Sequence, residues 1–207
     1  METQDVSKSD IKQQRRDEAT RRKIMTRVVW IGIGVLILGA LGFLIRLASR
    51  PGPGVFYPEV GSDHIALTDS LPKPYNSNPP SSGAHYPSPA NWGVYEYEVN
   101  DRFFLHNLEH GGVWIAYRPS VATSTVDKLK AIVKEFDGSK IVMGPRSSND
   151  ADVALVSWTH VLKFNLVGGD MTEGQINEIR GFYKSYKNRG PEFVPDSMPG
   201  VDPKTVQ

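Results

Sequence analysis

The chain carries five histidines, His64, His85, His106, His110 and His160, and two of them bracket a carboxylate in His106-Asn107-Leu108-Glu109-His110. On a helix, residues four apart project from one face, so His106 and His110 would present two imidazoles side by side, as a metal site requires. Imidazole with carboxylate suits zinc, copper or iron better than calcium or magnesium. His85, in Ser82-Gly83-Ala84-His85-Tyr86, is a candidate third ligand, and His64 and Glu109 are further candidates. The cofactor this set would take is a transition metal, zinc or copper first.

Other chemistry fits these residues less well. His106-x-x-Glu109-His110 also matches the H-x-x-E-H pattern of inverted zinc peptidases, with Glu109 as general base. Gly111-Gly112 follows at once, which predicts a helix of only about one turn and argues against a peptidase, so no catalytic residue is nominated outside that reading. Ser81 and Ser82 stand too close to His85 in sequence to imply a triad, and there is neither a G-x-S-x-G elbow nor a glycine-rich phosphate loop. A structural alternative needs no ion: the histidines and Glu109 would form a buried hydrogen-bonded network that braces a loop. Met143 and Met198 would be soft ligands for Cu(I), although Met143 lies in a strand-like run and reads as core. Trp92, Trp114 and Trp158 read as core or pocket lining.

Composition narrows the classes. There is no cysteine among the 207 residues, which excludes disulfides, thiolate metal sites and cysteine nucleophiles. Residues 1–50 carry ten Lys/Arg against five Asp/Glu, and the remainder 14 against 18. A mildly acidic domain is a poor partner for nucleic acid, which demands a positive surface, so none is expected. Protein partners are not legible.

The elements that would position these residues begin with an anchor. Val28 to Ile45 is a run of eighteen uncharged positions, enough to span most of a ~30 Å hydrocarbon layer. Arg15, Arg16, Arg21, Arg22, Lys23 and Arg27 precede it and only Arg46 and Arg50 follow, so the positive-inside bias places the N-terminus in the cytoplasm and the C-terminal domain outside the cell membrane. A cleaved signal peptide would have a shorter apolar core and a small-residue cleavage site. The expected organisation is a basic tail (1–27), a transmembrane helix (28–45), a linker (46–62) with the Arg50-Pro51-Gly52-Pro53-Gly54 spacer, a globular domain (63–195) and a C-terminal tail (196–207). The lipid bilayer is the one expected partner. The basic cluster could bind anionic lipid, but orienting the anchor is the simpler role.

Within the globular domain, residues 71–92 form a long loop rich in Pro, Ser, Asn and Gly. Val94–Val99 alternates as a strand with Arg102–Leu105 as hairpin partner, and Gly112–Tyr117 reads as a buried strand. Ser124 should cap a helix with the stripe Val126, Leu129, Val133 and Phe136, stopped by Gly138. Lys140–Gly144 and Asp152–Trp158 follow as strands, with Val161–Phe164 pairing beyond a turn. Thr172-x-x-Gln175 resembles a capping box ahead of Ile176, Ile179, Tyr183 and Tyr186. The sum is an α+β fold, a mainly antiparallel sheet with two helices on one face, preceded by one transmembrane helix.

Several landmarks occur together: Tyr75-Asn76-Ser77-Asn78-Pro79-Pro80-Ser81-Ser82-Gly83-x-His85, then Gly93-Val94-Tyr95, then His106-Asn107-Leu108-Glu109-His110-Gly111-Gly112-Val113. With Ala154–Trp158 and Gly190-Pro191-Glu192, they resemble a domain-of-unknown-function family, numbered 3105, whose prokaryotic members are commonly membrane-anchored. The resemblance covers roughly His64 to Pro195 and implies that His85, His106, Glu109 and His110 are the family's signature polar residues. The expected function is a membrane-anchored extracytoplasmic domain binding a transition metal or small ligand through this His/Glu cluster. The alternatives are a non-enzymatic cell-envelope interaction module with a structural His/Glu network and, third, a metal-dependent hydrolase.

Overall fold

A computed structural model describes residues 8–48 and 52–206. Residues 1–7 of the basic tail, Arg50 and Pro51 of the spacer, and Gln207 lie outside the described residues, as does Ser49. The chain divides into two compact units, Met1–Pro51 and Gly52–Gln207.

The described residues of the first unit form one helix, α1, Lys8–Ala48. Its apolar residues from Val28 to Ile45 are exposed all round, Leu36 by 74% and Leu38 by 69%. A helix that is apolar on every side has no polar face to offer water. It is long and apolar enough to cross a membrane.

The second unit is built on one six-stranded sheet. Its elements are β1 (Val55–Phe56), β2 (Gly93–Val94), α2 (Asp101–Glu109), β3 (Val113–Tyr117), α3 (Thr123–Glu135), β4 (Ile141–Pro145), β5 (Val153–Ser157), β6 (His160–Phe164) and α4 (Glu173–Tyr186). The strand order is β1-β6-β5-β3-β4-β2. β3 lies at the centre, with Trp114 opposite Val142 of β4 in parallel and opposite Val156 of β5 in antiparallel register. The sheet is therefore mixed, which corrects the expectation of a mainly antiparallel one. The reason is α3: a helix between β3 and β4 returns the chain to the same end and makes that pair parallel.

Strand side chains alternate, so the sheet has two apolar faces. Val113, Ile115, Met143 and Leu155 pack against Leu129 and Val133 of α3 and Ile179, Phe182 and Tyr183 of α4. Trp114, Ala116, Val142 and Val156 pack on the other side against Phe103, Phe104, Leu105 and Leu108 of α2. Two helices do cover one face. The other is covered by α2 and the long loop.

The α2 helix replaces the expected hairpin. The strand pairing ends at Val94, with the Tyr95 N–H as its last backbone donor to β4 (2.7 Å to the Met143 carbonyl), and further on the Glu98 carboxylate takes the Ser147 N–H (3.1 Å). Asn100 then caps α2 by accepting from the Arg102 N–H (3.0 Å), so Arg102–Leu105 is helical. On α3 the cap is Ala122 rather than Ser124, since the turn at Arg118–Val121 winds the chain into the helix earlier. The Thr172/Gln175 capping box is present on α4. Met143 is fully buried core, and Met198 is exposed.

Candidate functional site

The site forms where α2 meets the irregular segment that runs from Tyr57 to Ala90. α2 turns Phe104, Leu105 and Leu108 into the sheet, and its remaining face presents His106, Glu109 and His110. Asn107 anchors the helix to the loop through both halves of its amide. Its Oδ1 accepts from the Ala90 N–H (3.0 Å) and its Nδ2 donates to the Ala90 carbonyl (2.8 Å). At the helix C-terminus the buried Lys140 ammonium donates to the carbonyls of His110 (2.5 Å) and Val194 (2.6 Å), satisfying an acceptor that helix geometry leaves free.

The loop is held as firmly as a strand. Gly83 N–H donates to the Gly61 carbonyl (2.8 Å), His85 N–H to Asp63 (2.9 Å) and Ile65 N–H to His85 (2.8 Å), which sets His64 beside His85. Gly83 has φ +120°, and a Cβ there would lie 2.8 Å from the Tyr75 ring, so the Ser-Ser-Gly sequence needs its glycine. Arg146 grips the Asp101 carboxylate (2.9 Å from Nε and from Nη2) and the Asn78 side chain (2.6 Å), joining β4, α2 and the loop. Ser81 and Ser82 are fully buried, their hydroxyls engaged with Ser77 and the Val60 N–H, so both serve the loop's architecture.

These constraints bring His64, His85, His106 and Glu109 together, with one ligand-type atom from each lying within 4.8 Å of the others. His85 Nε2 is 2.9 Å and His64 Nε2 3.5 Å from Glu109 Oε2. The three ring centroids form a near-equilateral triangle of 5.0, 4.9 and 5.0 Å. Ligand atoms at 2.0–2.1 Å from a tetrahedral ion lie roughly 3.3 Å apart, with imidazole centroids roughly 5 Å apart. The residue types and ring spacing suit such an ion, and the ligand atoms, up to 4.8 Å apart, would draw together to hold it.

The hydrogen bonds behind the rings orient them. His85 Nδ1 lies 2.8 Å from the Gly83 carbonyl and His106 Nδ1 2.8 Å from the Tyr86 carbonyl. A carbonyl only accepts, so each Nδ1 carries a proton, which leaves Nε2 of a neutral ring as the lone-pair atom: that of His85 faces Glu109 and that of His106 faces His110. His85 Nε2 then faces a carboxylate oxygen at hydrogen-bond distance, lone pair toward lone pair. A proton shared between the two groups relieves that contact, and so would a metal ion.

Electrostatics agree with a neutral His106 and an ionised Glu109. Burial pushes the His106 imidazole down to about 4; the Tyr86 carbonyl opposes this and the neighbouring His110 and His85 reinforce it. Burial also depresses His110. For Glu109, burial raises the carboxyl but the surrounding imidazoles, His85 foremost, outweigh it and hold it below the ordinary range.

His110 stands at the flank of this group. Its Nε2 is 3.1 Å from His106 Nε2 and 3.3 Å from Glu192 Oε2, so one N–H has two acceptors to choose between. His160 sits apart, against the rings of Phe56 and Tyr186. Spacing and residue type assign no role to Asn107, Lys140 or Arg146, and they show Glu192 only as part of a motif. The signal for Glu192 is Gly190-Pro191-Glu192 itself: a Cβ on Gly190 would collide with the Glu109 carbonyl. That close approach lets Glu192 N–H reach the Glu109 carbonyl (3.0 Å) and its carboxylate reach His110.

Searches of curated proteins and of solved structures each returned no match. Residues 68–197 match the family described as "Protein of unknown function (DUF3105)", and the chain belongs to that family.

Proposed function

We propose that this chain is a single-pass membrane protein whose outer domain holds one transition metal ion through His64, His85, His106 and Glu109. The observation that carries the reading is the convergence of His64, His85, His106 and Glu109, with one ligand-type atom from each within 4.8 Å of the others and the Nδ1–carbonyl hydrogen bond of His85 turning its Nε2 toward the Glu109 carboxylate. Three imidazoles and one carboxylate favour zinc, copper or iron over harder cations. Glu109 acts as a ligand; its two imidazole contacts favour that over the role of a general base in a hydrolase.

The test is elemental analysis of the full chain, purified in detergent without a polyhistidine tag, beside His85→Ala. Near-stoichiometric zinc, copper or iron that vanishes in the variant supports the metal centre. A wild-type protein that stays folded, metal-free and refractory to added metal would falsify it. That outcome would favour the second reading, a non-enzymatic envelope interaction module with a structural network, for which the His110–His106 contact at 3.1 Å is the supporting observation.

The helix Lys8–Ala48 anchors the protein, with the basic segment in the cytoplasm and the metal-binding domain outside. With no native cysteine, single introduced cysteines report this directly. In intact cells, a membrane-impermeant maleimide should label Ser148→Cys and spare Gln13→Cys; the reverse pattern would overturn the orientation.

A further inference from the structure

The four ligands of the proposed centre are not equivalent, and the difference has a chemical meaning. The side chains of His85 and Glu109 are 0% and 5% exposed, whereas that of His64 is 44% exposed. His85 and His106 are each fixed from behind by a carbonyl, while among the described residues no hydrogen bond holds His64 Nδ1. Its Nε2 makes the longer contact to Glu109, 3.5 Å against 2.9 Å for His85. The backbone bonds that seat its segment run through the neighbours Asp63 and Ile65, and the imidazole packs on the rings of His106 and His85 with its outer side open to solvent. His64 also precedes the family segment, which begins at residue 68 and contains His85, His106 and Glu109.

We propose, resting on the metal centre argued above, that His64 is a displaceable ligand. The lasting core is the buried set of two histidines and one carboxylate, His85, His106 and Glu109, and His64 occupies the solvent-facing position in the absence of an outside ligand. Sets of two histidines and one carboxylate are the ones that leave a metal open positions for exogenous molecules. The class of molecule follows from charge. A divalent ion with one carboxylate and neutral imidazoles keeps a net positive charge, so the position takes a small monoanionic oxygen or nitrogen donor. The fixed rings need not move for this exchange, because the carbonyls of Gly83 and Tyr86 hold them.

Cobalt(II) as the metal and azide as the anion test this by visible absorption on the full chain in detergent, comparing wild type with His64→Gly, His64→Gln and His85→Ala. The expected result is that both His64 variants bind one Co(II) per chain about 10–100-fold more weakly than wild type. Azide should then shift their cobalt bands at concentrations at least tenfold lower than wild type needs, since it no longer competes with the imidazole. Either His64 variant losing cobalt as completely as His85→Ala would show that His64 is indispensable and overturn the proposal. Unchanged cobalt bands and affinity in both His64 variants would show that it is no ligand and would overturn the proposal equally. Wild type that takes up no Co(II) at all removes the metal reading and this inference with it, a result distinct from the other two.

Discussion

The two faces of the sheet are built on opposite plans. One is closed by α3 and α4, two amphipathic helices that bring Leu129, Val133, Ile179 and Phe182 onto an apolar surface. The other is closed by nine residues of helix and a long irregular segment. That second cover holds buried Ser81, Ser82, His85, His106, Asn107, Glu109 and His110, whereas α3 contributes only Thr125 and α4 only the hydroxyls of Tyr183 and Tyr186. Regular helices satisfy their own backbone, so their buried face can be wholly apolar. An irregular segment must find partners for its N–H and C=O groups, and the side chains that supply them bring ligand-type atoms into the interior. The polar face is thus where function can be housed and the helical face where stability is stored.

Five measurements would break or sharpen that division. The largest effect is expected at the polar face: His85→Ala should lower metal affinity at least 100-fold, as read by competition with a chelating dye. Wild type should in turn gain about 2.7 kcal/mol of stability at free metal one hundredfold above Kd, a gain absent from the variant. On the helical face, Phe182→Ala should cost about 3–5 kcal/mol in urea unfolding and leave the metal-to-protein ratio of the folded fraction unchanged. Loss of metal in Phe182→Ala would mean the two faces are not separable.

Acid should act through the polar face next. The His106 pKa is about 4 in the metal-free fold and about 6.5 when unfolded, so between these values the unfolded chain binds the extra proton. The His106 contribution to stability is complete above pH 6.5 and is lost as pH drops toward 4, by an amount on the order of 2 kcal/mol once solvent screening is allowed for. His106→Gln should flatten that slope in metal-free protein; an unchanged slope would assign it elsewhere. The smallest effect belongs to Thr172→Ala, which removes the α4 capping box and should cost about 1 kcal/mol with metal affinity untouched.

The division also explains which parts are readable without coordinates. The α4 stripe Ile176, Ile179, Tyr183, Tyr186 and its capping box follow from local periodicity, and so do strands β3 and β5. The segment 94–105 misleads because Tyr95 and Tyr97 alternate with glutamates as a strand would. Its glutamates instead reach side-chain partners, Glu98 taking the Ser147 N–H, and the Asn100 cap starts a helix at Asp101. The histidine pair at positions 106 and 110 is visible from spacing. The division of labour between them is not, because it depends on Glu192, 82 residues beyond His110 and brought in by the close approach of Gly190 to Glu109.

By itself the sequence determined the apolar run that can cross a membrane, the absence of thiol chemistry, the periodic helices and the residue types able to hold a transition metal. Each depends on composition or on neighbours within a turn or two of chain, where geometry is nearly invariant. Tertiary structure alone decided that β3 and β4 run parallel, that α2 seals the second face, and that His64 and Glu109, 45 positions apart, share one cluster. Such pairings depend on how the loop's hydrogen bonds close against the sheet, and no local pattern encodes that closure.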